Sequence, residues 1–161
     1  MAITRRTDFA IRFMCELAQL PPGATLSVRD LCELADVPES FGTSLVPFLV
    51  DADLVQADGY RDHLLSLALP AERIPIATII EACEPEFSLA ACSKHPHVCS
   101  RSPHCGVHTM WVGLDSLVLR YLEHVTLADV AHNQPAPPAE CVRMLSECLE
   151  APSGRATVAG S

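Results

Sequence analysis

The sequence predicts a mostly α-helical fold with a small β-wing, and three observations support this. Apolar residues recur at helical spacing through most of the chain. Proline or glycine interrupts the periodic segments, and one Asp-Gly pair separates two short apolar runs, as in a β-hairpin. The order of helix, helix, turn, helix and hairpin is typical of a winged helix–turn–helix domain. A longer helix for dimerisation follows it.

Three helices are predicted in the first third of the chain. Residues 7–20 form an amphipathic helix that ends at two prolines and a glycine. A second helix starts at Ser27, where the spacing Ser27-x-x-Asp30 resembles a capping box. We expect Leu31 and Leu34 of this helix to point inward. The third helix, over residues 39–52, takes the position of the recognition helix.

Two strands and two further helices complete the prediction. The strands lie at residues 54–57 and 64–68, on either side of Asp58-Gly59. A short helix covers Ile76–Cys83, directly after a proline, which is tolerated at a helix start. A long helix covers residues 106–125. Its apolar residues form a wide stripe: Val107, Met110, Trp111, Leu114, Leu117, Val118, Tyr121, Leu122 and Val125.

This stripe predicts a homodimer, since one small domain offers too little surface to cover it and a partner helix covers it as in a coiled coil. A core helix of a monomer is the alternative. The chain then divides into a winged helix–turn–helix domain at residues 1–75 and a cluster-binding loop with dimerisation helix at 76–133. Residues 134–161 form a proline-rich linker, a short helix at about 139–150 and a disordered tail.

Composition limits the classes of protein that fit. The 161 residues carry a net charge of −9, which argues against a generic nucleic-acid binder. No signal peptide precedes the first helix, and no apolar run has the roughly 20 residues that a membrane span needs. We therefore expect a cytoplasmic protein without membrane contact, whose thiols stay reduced. No set of nucleophile, base and acid indicates an enzyme.

The segment from Cys92 to His108 carries the chemistry. Cys92, Cys99 and Cys105 are separated by six and five residues, with histidines between them. Thiolates are the usual ligands of iron–sulfur clusters, so we interpret this segment as the ligand loop of a [4Fe–4S] or [2Fe–2S] cluster. Three cysteines leave one place open, for which His108 and Asp8 of the partner subunit are the candidates. Zinc is the alternative metal, since Cys3His is a common structural zinc set. The other cysteines are assigned to packing.

Four stretches carry a resemblance to a known family. They are TDFAIRFMCELAQLP, RIPIATIIEACE, HTMW and VTLADVAHNQ, which flank the three cysteines. With them the chain resembles the IscR/NsrR family of bacterial regulators, winged-helix dimers with an iron–sulfur cluster, over roughly residues 1–133. Asp8 matches the aspartate ligand of the NsrR branch, which acts across the dimer. His108 matches the histidine ligand of IscR. The first cysteine gap is one residue longer than is usual in the family.

The resemblance implies a transcriptional regulator, acting as a repressor, whose cluster senses nitric oxide, iron or redox state and alters binding to a DNA operator. The residues positioned for DNA contact are Arg29, Ser40, Thr43, Ser44, Arg61 and His63. However, no Lys, Arg or His lies between Asp30 and Tyr60, while seven acidic residues lie in or at the edge of this interval. Phosphate binding depends largely on basic side chains. The alternative is therefore a cluster-bearing dimer with weakened or lost DNA binding, which senses or acts through a protein partner.

Overall fold

The computed structural model describes residues 3–58, 64–136, 138–139 and 141–143. The elements, in chain order, are α1 (Arg5–Ala18), β1 (Leu26–Ser27), α2 (Val28–Leu34), α3 (Glu39–Asp51), β2 (Val55–Asp58), β3 (Leu64–Leu67), α4 (Ile76–Cys83), α5 (Ala91–Lys94), α6 (Gly106–His124) and α7 (Leu127–Ala131). Three short 3-10 turns lie at Ala71–Arg73, Pro96–Val98 and Ser102–His104. This is the predicted mostly α-helical fold with a small sheet.

Helix α1 lies at the centre of the core. Ala10, Phe13, Met14 and Leu17 are fully or almost fully buried, as their helical spacing predicts. Helices α2, α3, α4 and α7 and strand β3 all contact α1. A single apolar core therefore joins the first three helices to two helices from later in the chain.

Helices α2 and α3 form the helix–turn–helix. Ser27 caps α2 as predicted, because its hydroxyl accepts the backbone N–H of Asp30 at 3.1 Å. Leu31 is buried, but the expectation that Leu34 points inward is wrong, since 58% of it is exposed. Leu34 is the last residue of a seven-residue helix and lies beyond the edge of the core.

The wing is a three-stranded antiparallel sheet in the order β1-β3-β2. The predicted hairpin strands are confirmed, with Val55 opposite Leu67 and Asp58 opposite Leu64. Strand β1 is an addition: Leu26 pairs with Leu65 just before α2 begins. The wing is thereby attached to the start of the helix–turn–helix. The tip of the hairpin, with Arg61 and His63, lies outside the described residues.

Helix α6 extends away from the core and the chain then returns to it. The nineteen residues of α6 span about 28 Å. After α6, the N–H of Leu127 donates to the carbonyl of Ile74 at 2.8 Å, and the N–H of Ile76 donates to that of Val125 at 2.9 Å. These bonds bring the C-terminal end of α6 beside the start of α4. The N-terminal end of α6, where the cysteine loop arrives, lies a full helix length away.

No helix in the described ranges combines the length and apolar character that crossing a bilayer requires. The predicted C-terminal helix at 139–150 falls largely on residues that the structure does not describe, and so does Cys148. Cys141 is described and buried.

Close packing of α2 against α3 generates the first prediction. A Cβ at position 42 would clash with the Sγ of Cys32. We expect Gly42→Ala to lower the free energy of unfolding by about 1–3 kcal/mol despite the better helix propensity of alanine, because the two helices must separate. Urea unfolding of both forms measures this difference.

The control is the same substitution in a Cys32→Ala background, where the clashing sulfur is absent. The cost of Gly42→Ala should then shrink, which a double-mutant cycle quantifies. An equal cost in both backgrounds would contradict this account of the helix contact.

Candidate metal centre

The cysteine loop is a chain of short elements between α4 and α6. Cys92 lies on α5, Cys99 follows the 3-10 turn Pro96–Val98, and Cys105 is the residue before the first turn of α6. His108 lies within that first turn. All three cysteines are free thiols of intermediate exposure. The loop therefore presents its thiols without burying them in the core.

Polar contacts hold the first part of this loop against α6. The carboxylate of Asp115 accepts the backbone N–H of Leu89 at 2.8 Å and also the hydroxyl of Ser93. Glu86 faces Lys94, the last residue of α5, and His95, the residue that follows it. The contact with His95 is the largest cause that lowers the pKa of Glu86, and Lys94 adds to it. These contacts fix the position of α5, and therefore of Cys92.

The second part of the loop lines an open cavity of about 370 Å3. Its lining is Pro96, His97, Cys99, Ser100, Ser102, Pro103 and His108. Two buried polar atoms of these residues have no hydrogen-bond partner, the Nδ1 of His108 and the Oγ of Ser102. A buried imidazole nitrogen without a partner is costly unless it binds something. Of the candidate cluster ligands, Cys99 and His108 line this cavity, whereas Cys92 and Cys105 do not.

The cysteines are not gathered around a single point. In the part of the chain that the structure describes, no three His, Cys, Asp or Glu side chains are arranged to hold one metal ion. A single zinc ion needs its ligands around one centre, whereas the cysteines of a [4Fe–4S] cluster bind separate irons. The described residues therefore contain no preassembled site for a single zinc ion.

Asp8, the other candidate for the fourth ligand, lies on α1. Its carboxylate forms an ion pair with Arg12 one turn later, at 3.0 Å, and both side chains are about half exposed. Within one chain its partner is thus a neighbour on α1 and not a residue of the cysteine loop. The exposure leaves Asp8 accessible to a second subunit.

A hydrogen-bonded group joins α1 to the segment that leads into the loop. The carboxylate of Glu84, directly after α4, accepts the N–H of Thr4 at 3.0 Å and the hydroxyls of Thr4 and Thr7. Desolvation opposes ionisation of Glu84, but the hydrogen bonds from Thr7 and Thr4 outweigh it and lower the pKa of its carboxyl. The sequence analysis did not find this contact, because it joins polar residues about eighty positions apart.

The remaining thiols are different in kind. Cys15, Cys32 and Cys83 belong to or pack against the apolar core. Desolvation raises the pKa of Cys15 and Cys83 to about 11, so both stay protonated. Thiols in this state are poor metal ligands, in agreement with their assignment to packing.

The recognition helix α3 carries the predicted DNA-contact residues on its surface. Ser40, Thr43 and Ser44 are exposed, and Arg29 on α2 is also exposed. The hydroxyls of Thr43 and Ser44 donate to backbone carbonyls of their own helix, at 2.9 and 2.7 Å. Their oxygens remain able to accept hydrogen bonds, but they add no positive charge.

Two half-exposed aromatic residues of α3 were not among the predicted contact residues. Phe41 packs edge-on against Phe9 of α1, with ring centroids 5.3 Å apart. The guanidinium of Arg6 lies 4.9 Å from the ring centroid of Phe48. Arg6 is thus placed at the edge of α3, where its charge partly offsets the acidic residues of the helix–turn–helix.

Helix α6 has no buried residue. Val107, Met110 and Leu114 of the predicted stripe are 58%, 54% and 41% exposed. The C-terminal part of the stripe belongs to the core of the single chain, because Val125 is buried and Tyr121 and Leu122 pack against core residues. The N-terminal part of the stripe is the part that stays exposed.

Comparisons with known proteins give one family and one fold. Residues 3–133 match the model of the Rrf2 family, described as iron-dependent transcriptional regulators. CymR of B. subtilis, described as its global cysteine regulator, is 20% identical with a TM-score of 0.67, over 83% of this chain and 98% of that chain. Oxidized CymR of Staphylococcus aureus is 20% identical with a TM-score of 0.64, over 81% of this chain and 96% of that chain. IscR of T. potens is 18% identical with a TM-score of 0.66, over 83% of this chain and 88% of that chain.

The contact between Glu84 and α1 generates a prediction on pH dependence. The pKa of Glu84 in the folded chain is below its ordinary 4.5, so its ionised form stabilises the fold above that pH, and the gain is lost as pH falls through the folded value. Glu84→Gln should therefore lower the free energy of unfolding at pH 7 by on the order of 1 kcal/mol. The difference from the wild type should shrink as the pH falls below 4.5 and through the lowered pKa of Glu84 in the folded chain.

Urea unfolding at a series of pH values measures this effect. Glu81→Gln, at an exposed position one turn earlier on α4, is the matched control and should keep the wild-type pH dependence. Identical acid profiles for Glu84→Gln and the wild type would disprove the stabilising role of this carboxylate.

Proposed function

Since the chain belongs to the Rrf2 family of iron-dependent transcriptional regulators, we propose that it is a cytoplasmic regulator controlled by an iron–sulfur cluster. Members of this family are regulators of transcription and not enzymes. Cys92, Cys99 and Cys105 are the proposed cysteine ligands. The observation that carries the proposal is the loop before α6, which presents three free thiols of intermediate exposure, with His108 in the first turn of the helix that follows.

His108 is the proposed fourth ligand. It lines the same cavity as Cys99, and its Nδ1 is buried without a hydrogen bond. Imidazole replaces thiolate in some iron–sulfur centres, so its chemistry suits the position. Asp8 of the partner subunit remains the alternative. Its carboxylate would have to leave the ion pair with Arg12 to bind the cluster.

A bound cluster would supply reactivity towards nitric oxide, oxidants or iron supply, which the side chains themselves lack. The chain contributes the coupling. Asp115 joins the loop to α6, and Glu84 joins the segment before the loop to Thr4 and Thr7 at the start of α1. A change in loop position would therefore reach both the dimerisation helix and the head, meaning the winged helix–turn–helix domain at residues 1–75. Two orientations of this head, with the loop favouring one of them, are sufficient to switch binding on and off.

The homodimer is part of the proposal. Val107, Met110 and Leu114 form an exposed apolar surface on α6, and a second copy of α6 would cover it. Pairing of two α6 helices would also place the two cluster loops at the interface. This arrangement lets one subunit's head approach the other subunit's loop.

The surface of α3 supports a second candidate function. Described residues 31–58 include no Lys, Arg or His, so basic residues for phosphate contact come only from the flanks, such as Arg29 and Arg6. A dimer that senses through its cluster but binds a protein in place of an operator fits this surface. Sequence-specific DNA binding by the loaded dimer separates the two candidates.

Substitution of single ligands tests the proposal. Cys92→Ala, Cys99→Ala and Cys105→Ala should each abolish the cluster absorbance of anaerobically purified protein, because no other described thiol lies on the loop. Cys15→Ala, which removes a half-buried thiol of α1, is the matched control and should keep it.

The fourth ligand is tested in the same way. His108→Ala should change the cluster spectrum and its rate of loss, whereas Asp8→Ala should leave both unchanged. Full cluster absorbance in any of the three loop cysteine variants would refute the ligand assignment. The reverse result for His108 and Asp8 would transfer the fourth place to the partner subunit's Asp8.

A further inference from the structure

The exposed polar side chains of the recognition helix α3 are almost all hydrogen-bond acceptors. They are Glu39, Ser40, Thr43, Ser44 and Asp51. The two carboxylates only accept hydrogen bonds when they are ionised. The hydroxyl protons of Thr43 and Ser44 are donated to backbone carbonyls of α3, so these two oxygens offer outside groups only their lone pairs. Only Ser40 keeps a hydroxyl that can donate.

Two phenylalanines add an apolar edge to this exposed surface. Phe41 and Phe48 are seven residues apart and therefore lie two turns apart on one side of α3. Both are half-exposed, and α1 supports both: Phe9 packs against the ring of Phe41, and the guanidinium of Arg6 lies over the ring of Phe48. The rings are thus held at the surface, with a positive charge beside one of them.

These side chains do not match the edge of guanine in the major groove. Guanine presents the acceptors N7 and O6, which Arg or Lys reads, and adenine is usually read by Asn or Gln. Helix α3 contains none of these four residue types. Acceptors match the amino groups of adenine and cytosine, and phenylalanine matches the methyl group of thymine. Since only an A·T pair offers both an amino group and a methyl group, α3 is complementary to A·T pairs.

We propose that α3 reads A·T pairs in the major groove of its operator. Phe41 and Phe48 contact thymine methyl groups, and Thr43 and Ser44 accept hydrogen bonds from adenine amino groups. Arg6, exposed beside Phe48, contacts a backbone phosphate and fixes the register of the helix. The inference rests on the proposed function, because it needs an operator, and it names the base pairs that this operator presents.

The first experiment selects binding sites from a library of double-stranded DNA with a random central segment. It uses the full-length protein, both loaded with its cluster and after cluster removal. The selected half-sites should be rich in A·T pairs, and replacing a contacted A·T pair by G·C should weaken binding roughly 5- to 150-fold. Replacing a contacted thymine by deoxyuridine, which removes only the methyl group, should weaken binding about fourfold.

Substitutions on α3 then assign the contacts. Phe41→Ala and Phe48→Ala should each bind the thymine and deoxyuridine probes equally at the position that the missing ring contacted. This ratio compares two DNAs with one protein, so a lower folded fraction does not change it. Leu34→Ala is the matched control, because it removes an exposed apolar side chain of α2, and it should keep the fourfold ratio. Ser44→Arg, at an exposed position, should bring guanine into the selected site.

The outcomes separate this inference from the proposed function. Selected sites that depend on guanine, or equal binding of thymine and deoxyuridine probes by the wild type at every position, would overturn the inference and leave the proposed function standing. An unchanged thymine preference in both phenylalanine variants would overturn it as well. If neither cluster state selects any sequence, the operator itself is refuted in favour of the protein-binding candidate, and the inference is refuted with it.

Discussion

The packing of α1 is the constraint on which the rest of the structure depends. One face of this helix is buried by α2 and α3 from the helix–turn–helix and by α4 and α7 from the later part of the chain. Because all of them share one core, the head cannot shift relative to α1 without disturbing α4. The start of α1 is also hydrogen-bonded to Glu84, the first residue of the segment between α4 and the cysteine loop. Head and loop are thus connected through a single helix.

The cysteine loop is stabilised by different forces. It lies at the end of α6 that is remote from the core, and polar contacts from Asp115 and Glu86 hold its first half. Its second half lines an open cavity, and two buried polar atoms of the lining residues, the Oγ of Ser102 and the Nδ1 of His108, have no hydrogen-bond partner. A segment with few apolar contacts and unmet hydrogen bonds has low local stability. A bound cluster would change the order of this segment far more than that of the core, which suits a sensing element.

Much of the fold could be predicted from the sequence because apolar periodicity determines which helix faces are buried. The buried face of α1, the helix Ile76–Cys83 and the strands of the hairpin follow from spacing and from proline and glycine. The prediction for Leu34 was wrong because periodicity does not show where a short helix extends past the core. Strand β1 was not predicted because two residues carry no periodic signal and pair only with β3.

The candidate site was predictable in its ligand types but not in its supporting contacts. Cysteine spacing identifies the loop, and the resemblance adds Asp8 and His108 without choosing between them. The unpartnered Nδ1 of His108 favours that residue, which only coordinates reveal. Glu84 and Asp115 escape sequence analysis because polar contacts between distant positions have no local pattern.

The function of the protein depends on what the cysteine loop holds. The most direct measurement is the iron, sulfide and zinc content of anaerobically purified protein, with its absorption spectrum before and after nitric oxide. The account predicts a brown protein that contains iron and sulfide and is bleached by nitric oxide. A colourless protein with one zinc ion per chain would contradict it and leave only the fold and the family membership.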